Sequence, residues 1–150
     1  VDDSIDALCH AATLGAAGAR DGLHRWVEER SSTLEAVLAN LLKAGYVVCL
    51  ASDHGHVEAF GVGRPADGIL AETRGQRARL YGDLRQAQSI AARNADTVVW
   101  PSDNILPDGV HAVLHTRRGA FAPAGERLVS HGGATIEEVC VPIVLLERSA

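Results

Sequence analysis

Asp53-His54-Gly55-His56 stands one residue beyond the apolar run Val47-Val48-Cys49-Leu50-Ala51. A carboxylate beside an imidazole offers one hard and one borderline donor, a pair suited to a divalent cation such as zinc or manganese. Gly55 lets backbone come close to whatever is bound. A second candidate is His131. It is followed by Gly132-Gly133 and then by Thr135 and Glu138 at capping-box spacing, so it sits on a glycine-rich turn before a helix N-terminus, a good place for a ligand. The third lies at the start. Asp2 and Asp6 are four residues apart, as are Asp6 and His10, and either pair converges on one ion if the segment turns helically. Each candidate has a plainer counterpart, since acidic runs at a terminus are usually solvated and a lone His is usually satisfied by ordinary hydrogen bonds.

Elements must hold these side chains in place. Ser32 and Glu35 have capping-box spacing, and Leu34, Val37, Leu38, Leu41 and Leu42 repeat at the helical period until Gly45, which predicts a helix packed in the core. Tyr46 to Ala51 then reads as a buried strand, so the unit is helix, tight turn, strand, as in a parallel α/β sheet with its site at the carboxyl end of the strand. Between His10 and Asp21 the Ala/Gly run favours close packing or a mobile loop over a stable helix. Asp83 to Arg93 reads as a second helix, Thr97 to Trp100 as a strand ended by Pro101, Ala112 to His115 as an edge strand, and Cys140 to Leu146 as a final strand. His111 and His115 are four apart, but Gly109 before them and Thr116-Arg117-Arg118-Gly119 after them argue against a zinc-binding helix. Arg74, Arg77, Arg79 and Arg85 could face phosphate. No aromatic residues interleave with them, so a solvated hairpin or loop balanced by Glu72 and Asp83 is the expectation.

With 150 residues the chain is of single-domain size and long enough to bury roughly two-thirds of its unfolded surface. No segment approaches the ~18 uninterrupted apolar residues of a membrane span, which predicts a soluble, cytoplasmic protein without a membrane partner. Cys9, Cys49 and Cys140 are odd in number and lie in apolar surroundings, so three buried, reduced thiols are expected. A net charge of −5 argues against sequence-independent nucleic-acid binding driven by charge alone, but leaves room for a phosphate-bearing substrate held through metal. There is no Met at position 1 or elsewhere and no signal-peptide pattern, which suggests an excised piece.

Taken together, the Asp pair at the start, Ser52-Asp53-His54-Gly55-His56 after a strand, and His131-Gly132-Gly133-Ala134-Thr135-Ile136-Glu137-Glu138-Val139-Cys140-Val141-Pro142 near the end resemble the PglZ family of the alkaline phosphatase superfamily. These proteins belong to bacterial phage-defence systems of the phage growth limitation and bacteriophage exclusion type. The resemblance spans essentially the whole chain, as the carboxyl-terminal part of the catalytic domain. It implies a three-layer, alkaline-phosphatase-like α/β fragment with a mostly parallel sheet flanked by helices.

For the site, the resemblance implies two divalent ions, zinc in the first instance and manganese as the alternative. Asp53 and His54 would bind one ion, and His131 with an upstream Asp the other. Asp2 is the first choice for that upstream ligand, with Asp6 following it in the superfamily's Asp-x-x-x-His element; if Asp6 is first, its companion is His10. His56 is left in an outer shell or a structural role. Two such ions about 4 Å apart can stabilise the attacking and leaving oxygens of a phosphate ester. The Ser or Thr nucleophile of the superfamily, with a companion Asp, is expected upstream of Val1, so residues 1–150 alone are expected to be inactive. Two functions compete on this reading. One is a metal-dependent phosphatase or phosphodiesterase, with a nuclease among its forms, acting on a phosphate ester or nucleic acid. The other is a non-catalytic phosphatase-like module that binds partner defence proteins or nucleic acid.

Overall fold

Small side chains set the first packing unit of the chain. In the computed structural model, which describes residues 2–12, 15–65, 69–70, 76–101 and 105–148, helix α1 (Ser4–His10) lies against helix α2 (Gly15–Lys43). Contact is close at Gly22, where a Cβ would come within 2.6 Å of the Leu8 side chain, and the Trp26 indole N–H donates to Ser4 Oγ at 2.8 Å. The Ala/Gly run is therefore helix from Gly15 onward and not loop, because alanine has the highest helix propensity and the tertiary contact with α1 rewards small residues. At Gly15, φ is 66° and a Cβ would meet Glu58 Oε1 at 2.0 Å. That oxygen accepts the Ala16 N–H at 2.9 Å and Arg127 Nε at 2.7 Å, so glycine at the helix start lets one carboxylate tie α2 to the strands. Ser32 is accordingly inside a helix already formed. Leu34, Val37 and Leu41 are exposed, against the expectation of a core face.

The strands form three small sheets. β1 (Val48–Ala51) pairs antiparallel with β9 (Ile143–Leu146). β2 (Val57–Gly61) lies between β7 (Gly119–Ala120), parallel, and β8 (Arg127–Ser130), antiparallel. The third sheet has the order β3 (Ile69–Leu70), β4 (Ala78–Tyr81), β6 (His111–His115), β5 (Thr97–Trp100), all antiparallel. The mostly parallel sheet expected from the helix–turn–strand unit is thus corrected to mixed and mainly antiparallel. A helix before a strand does not dictate the strand's partner, and β1 finds its partner at the far end of the chain. β1 is also largely exposed rather than buried. β6, expected at an edge, is central between β4 and β5.

Helix α3 (Leu84–Arg93) begins as its sequence predicts: Asp83 Oδ1 accepts the backbone N–H groups of Arg85 (2.7 Å) and Gln86 (3.1 Å). It covers one face of the third sheet, where Tyr81, Ala87, Val113 and Phe121 make a core cluster. A second cluster, Cys9, Ala19 and Val129, pins α1 and α2 to β8. Only Cys9 of the three free cysteines is buried; Cys49 and Cys140 are exposed, which corrects the expectation of three buried thiols. The basic stretch divides. Arg77 and Arg79 are buried and Arg85 is exposed, while Arg74 lies outside the described residues, as do Thr13 and Leu14 of the Ala/Gly run. Among the described residues no helix is long and apolar enough to cross a membrane.

Candidate metal centre

Strand register brings two distant histidines together. β2 and β8 run antiparallel with Val57 opposite Ser130, so His56, just before β2, and His131, just after β8, extend the same register at one end of the sheet. The Cys9–Val129 contact docks α1 at this end, and the helical spacing of α1 presents Asp6 and His10 on one face. Asp6, His10, His56 and His131 consequently offer ligand atoms that all lie within 4.8 Å of one another. The centre of the group is Asp6 Oδ1, which lies 2.9 Å from His56 Nε2, 3.3 Å from His10 Nε2 and 3.8 Å from His131 Nε2. Burial alone would raise the Asp6 carboxyl; the hydrogen bond with His56 and the charges on His10, His131 and His56 outweigh it and hold the group below the usual carboxylate range.

The other expected ligands lie beside this cluster or away from it. His54 stacks on His131, with ring centroids 3.7 Å apart and planes 10° from parallel. Asp53 is its neighbour, but the carboxylate is 83% exposed, 3.7 Å from His54 Nε2, and accepts the His54 backbone N–H at 3.0 Å. Asp2 turns to the start of α1. It accepts the Ser4 N–H at 2.9 Å, and the hydrogen bonds from Ser4 lower its pKa. Of the two registers open in the sequence, the structure brings Asp6 with His10 to His131, and leaves Asp2 outside the cluster.

A donor set of one carboxylate and three imidazoles, half-buried to buried, suits a borderline divalent ion such as zinc better than magnesium or calcium, which prefer oxygen. The residues present therefore fit a metal centre.

One residue fastens both histidine-bearing segments. Short helix α4 (Ile136–Val139) carries Glu138, whose carbonyl oxygen accepts the Gly55 N–H at 2.9 Å, between His54 and His56. Its carboxylate accepts the Gly133 N–H at 2.8 Å, and the N–H (3.1 Å) and hydroxyl (2.7 Å) of Thr135. Arg77, fully buried, meets the same carboxylate through Nε (2.8 Å) and Nη2 (2.7 Å) and donates from Nη1 to the carbonyls of Arg117 and Gly119. Burial would raise the Glu138 carboxyl, but the hydrogen bonds from Arg77, Thr135 and Gly133 prevail and lower it. The capping-box spacing pointed to Glu138. Nothing local pointed to Arg77, because its partner lies 61 residues away and a basic stretch usually faces solvent.

Helices packed on small sheets, with a carboxylate and imidazoles gathered where strands end, define a mixed α/β domain with a candidate metal centre. A family model described as the BREX system PglZ alkaline phosphatase-like domain matches residues 1–146. The chain belongs to the PglZ family, as an alkaline phosphatase-like domain of a phage-defence system. Domains of the alkaline phosphatase-like kind are in general metal-dependent, and this one has a cluster, Asp6, His10, His56 and His131, that could hold an ion. Comparisons with curated proteins and with solved structures found no match.

Proposed function

We propose that this domain serves as a metal-dependent phosphatase or phosphodiesterase in phage defence, acting alongside other proteins of its defence system. The observation that carries this reading is the convergence of Asp6, His10 and His131, with His56, on one point. Asp6, His10 and His131 hold one ion; Asp53 and His54 hold a second beside it, where the stack of His54 on His131 keeps the two sets adjacent. Zinc suits the imidazole-rich set, with manganese the alternative. Such ions, when bound, neutralise phosphate charge and lower the pKa of an oxygen nucleophile. The chain's own residues supply orientation and access. His56 fixes the Asp6 carboxylate, His131 is buried and excludes water from its side of the site, and the exposed Asp53 leaves the other side open to a charged substrate. Glu138 holds the two histidine segments in register.

The test is metal analysis of the intact protein together with hydrolysis of a generic aryl phosphodiester and phosphomonoester. Zinc should co-purify, chelation should abolish hydrolysis, and Asp6→Asn or His131→Ala should remove both metal and activity. A protein that holds no metal and cleaves neither ester refutes this reading. One that holds metal yet cleaves neither favours the alternative, a module that binds partner proteins; the apolar side chains exposed on β9, Ile143, Val144 and Leu145, support that second reading.

A further inference from the structure

We infer that the face of the third sheet turned away from α3 is a binding site for a planar, uncharged aromatic ring, carried by the phosphate ester on which the domain acts. The inference rests on the phosphatase reading above and deepens it by naming the part of the substrate that is not phosphate. Tyr81 and Val113 pack with Ala87 of α3, so strand alternation turns Leu80 of β4 and Ala112 and Leu114 of β6, with Ala78, to the opposite side. Cross-strand pairing there sets a small residue against a large one, Ala78 with Leu114 and Ala112 with Leu80. Trp100 of β5 also stands opposite Ala112, whose methyl group leaves the indole 37% exposed. Ala78 and Ala112 themselves are only 4% and 5% exposed and form the floor of a cleft of about 570 Å³. Small-molecule sites run from roughly 300 to 1,000 Å³.

The walls tie this cleft to the candidate centre. One is Gly132-Gly133-Ala134, which follows His131 directly, and another is Val139, next to Glu138. The loop is fixed before any ligand arrives: the Gly133 N–H donates to Glu138 Oε1 at 2.8 Å and the Ala134 N–H to the His115 carbonyl at 2.9 Å. A preformed wall spares a ligand the cost of ordering it. Gly132, at φ 95°, presents bare backbone, and a Cβ there would stand 3.9 Å from the Ala78 methyl and narrow the cleft. Among the described residues no charged side chain lines the cleft, which makes it a poor place for phosphate and a good one for an uncharged ring. Trp100 supplies the aromatic partner, since offset or edge-on ring pairs add to the gain from buried area. The phosphate end of the ester then lies toward His131 and the ring toward Trp100.

The experiment is titration of the intact protein, freed of metal by a chelator, with 4-nitrobenzyl alcohol and with its saturated counterpart cyclohexylmethanol, read by Trp fluorescence and by calorimetry. The flat ring should quench saturably and bind about tenfold more tightly than the saturated one, within what a stacked ring contributes. Trp100→Phe keeps a ring, so it should retain binding by calorimetry yet lose most of the quenching, because the other indole, Trp26, is bonded to Ser4 on the α1–α2 pair. Ala112→Leu fills the floor and, once circular dichroism shows it folded, should weaken ring binding by about tenfold. With metal restored, it should raise KM for an aryl phosphodiester by a similar factor and leave KM for glycerol phosphate at the parent value. Unchanged affinity in Ala112→Leu, unchanged quenching in Trp100→Phe, or equal affinity for the saturated ring would each overturn the inference while hydrolysis stands. The Trp100→Phe result decides by itself if Ala112→Leu does not fold. A parent that binds no ring but is a dimer broken by Trp100→Glu would give the cleft to a second copy of the chain and overturn the inference too. Ring binding in a protein that holds no metal and cleaves no ester would refute the phosphatase reading and, with it, the assignment of the ring to an ester.

Discussion

His115 is fully buried against Phe121, ring centroids 4.4 Å apart, with no hydrogen-bond partner among the described residues for either ring nitrogen. Burial, and then the Arg77 charge, push its imidazole down to about 4, with Asp96 and Glu138 pulling weakly the other way. It is neutral in the fold at neutral pH. In the unfolded chain it takes a proton near the ordinary value of about 6.5, so between these values the unfolded state binds more protons. The stability owed to this residue is therefore complete above about 6.5 and falls as pH drops toward 4, by about 3 kcal/mol in total. Urea unfolding across that range should show a clearly shallower decline for His115→Leu than for the parent; equal slopes would remove His115 as the cause. The His111/His115 spacing suggests an ion only for a helix. On strand β6 the two residues share a face but stand about 13 Å apart at ~3.3 Å per residue, too far for one metal.

Among the elements, α4 and the loop before β2 meet through backbone, and the site depends on how closely they do. A Cβ on Gly55 would stand 1.9 Å from the Glu137 carbonyl oxygen, so Gly55→Ala must push the His54–His56 segment away from α4. Overpacking of this kind costs about 1–3 kcal/mol. Gly55→Ala should therefore lower the unfolding midpoint and weaken zinc binding, as read by denaturation and metal titration. Gly82→Ala, with nothing within 4 Å of the new methyl, should do neither. If both variants behave like the parent, the backbone contact does not hold the site. Much of this site was legible in the chain: Asp6 and His10 at helical spacing, ligand-type residues after an apolar run, and His131 on a turn with its own capping box. What could not be read was long-range. The β2–β8 register that sets His56 beside His131, the Arg77–Glu138 pair and the pairing of β1 with β9 all join residues far apart in sequence, and no local period encodes them. The helix from Gly15 is hidden in the sequence for a different reason. Its glycines lower intrinsic propensity, but the Gly22–Leu8 contact uses the space they leave.

Across the whole molecule, order is unevenly distributed. The Tyr81–Phe121 cluster and the Arg77–Glu138 pair are enclosed, whereas β1 and β9 form a two-stranded ribbon with Ile143 70% and Leu145 64% exposed. A ribbon with few buried apolar contacts opens at low free energy, so its amides should exchange quickly while those of β4 and β6 exchange only with global unfolding. α1 lies between these extremes, held by Cys9 on Val129 and by the side chains of the candidate centre. Metal bound by Asp6, His10 and His131 would join α1 to the end of β8, with His56 before β2 hydrogen-bonded to Asp6. At a free zinc concentration of a hundred times the dissociation constant, such a link contributes about 2.7 kcal/mol against any opening that breaks it. Hydrogen exchange followed by mass spectrometry should accordingly show zinc slowing α1 and the 131–138 segment by about a hundredfold, with no change in the β1–β9 ribbon. Uniform protection of the ribbon as well would mean that it is coupled to the centre. Zinc binding without protection of α1 would place the ion away from Asp6 and His10.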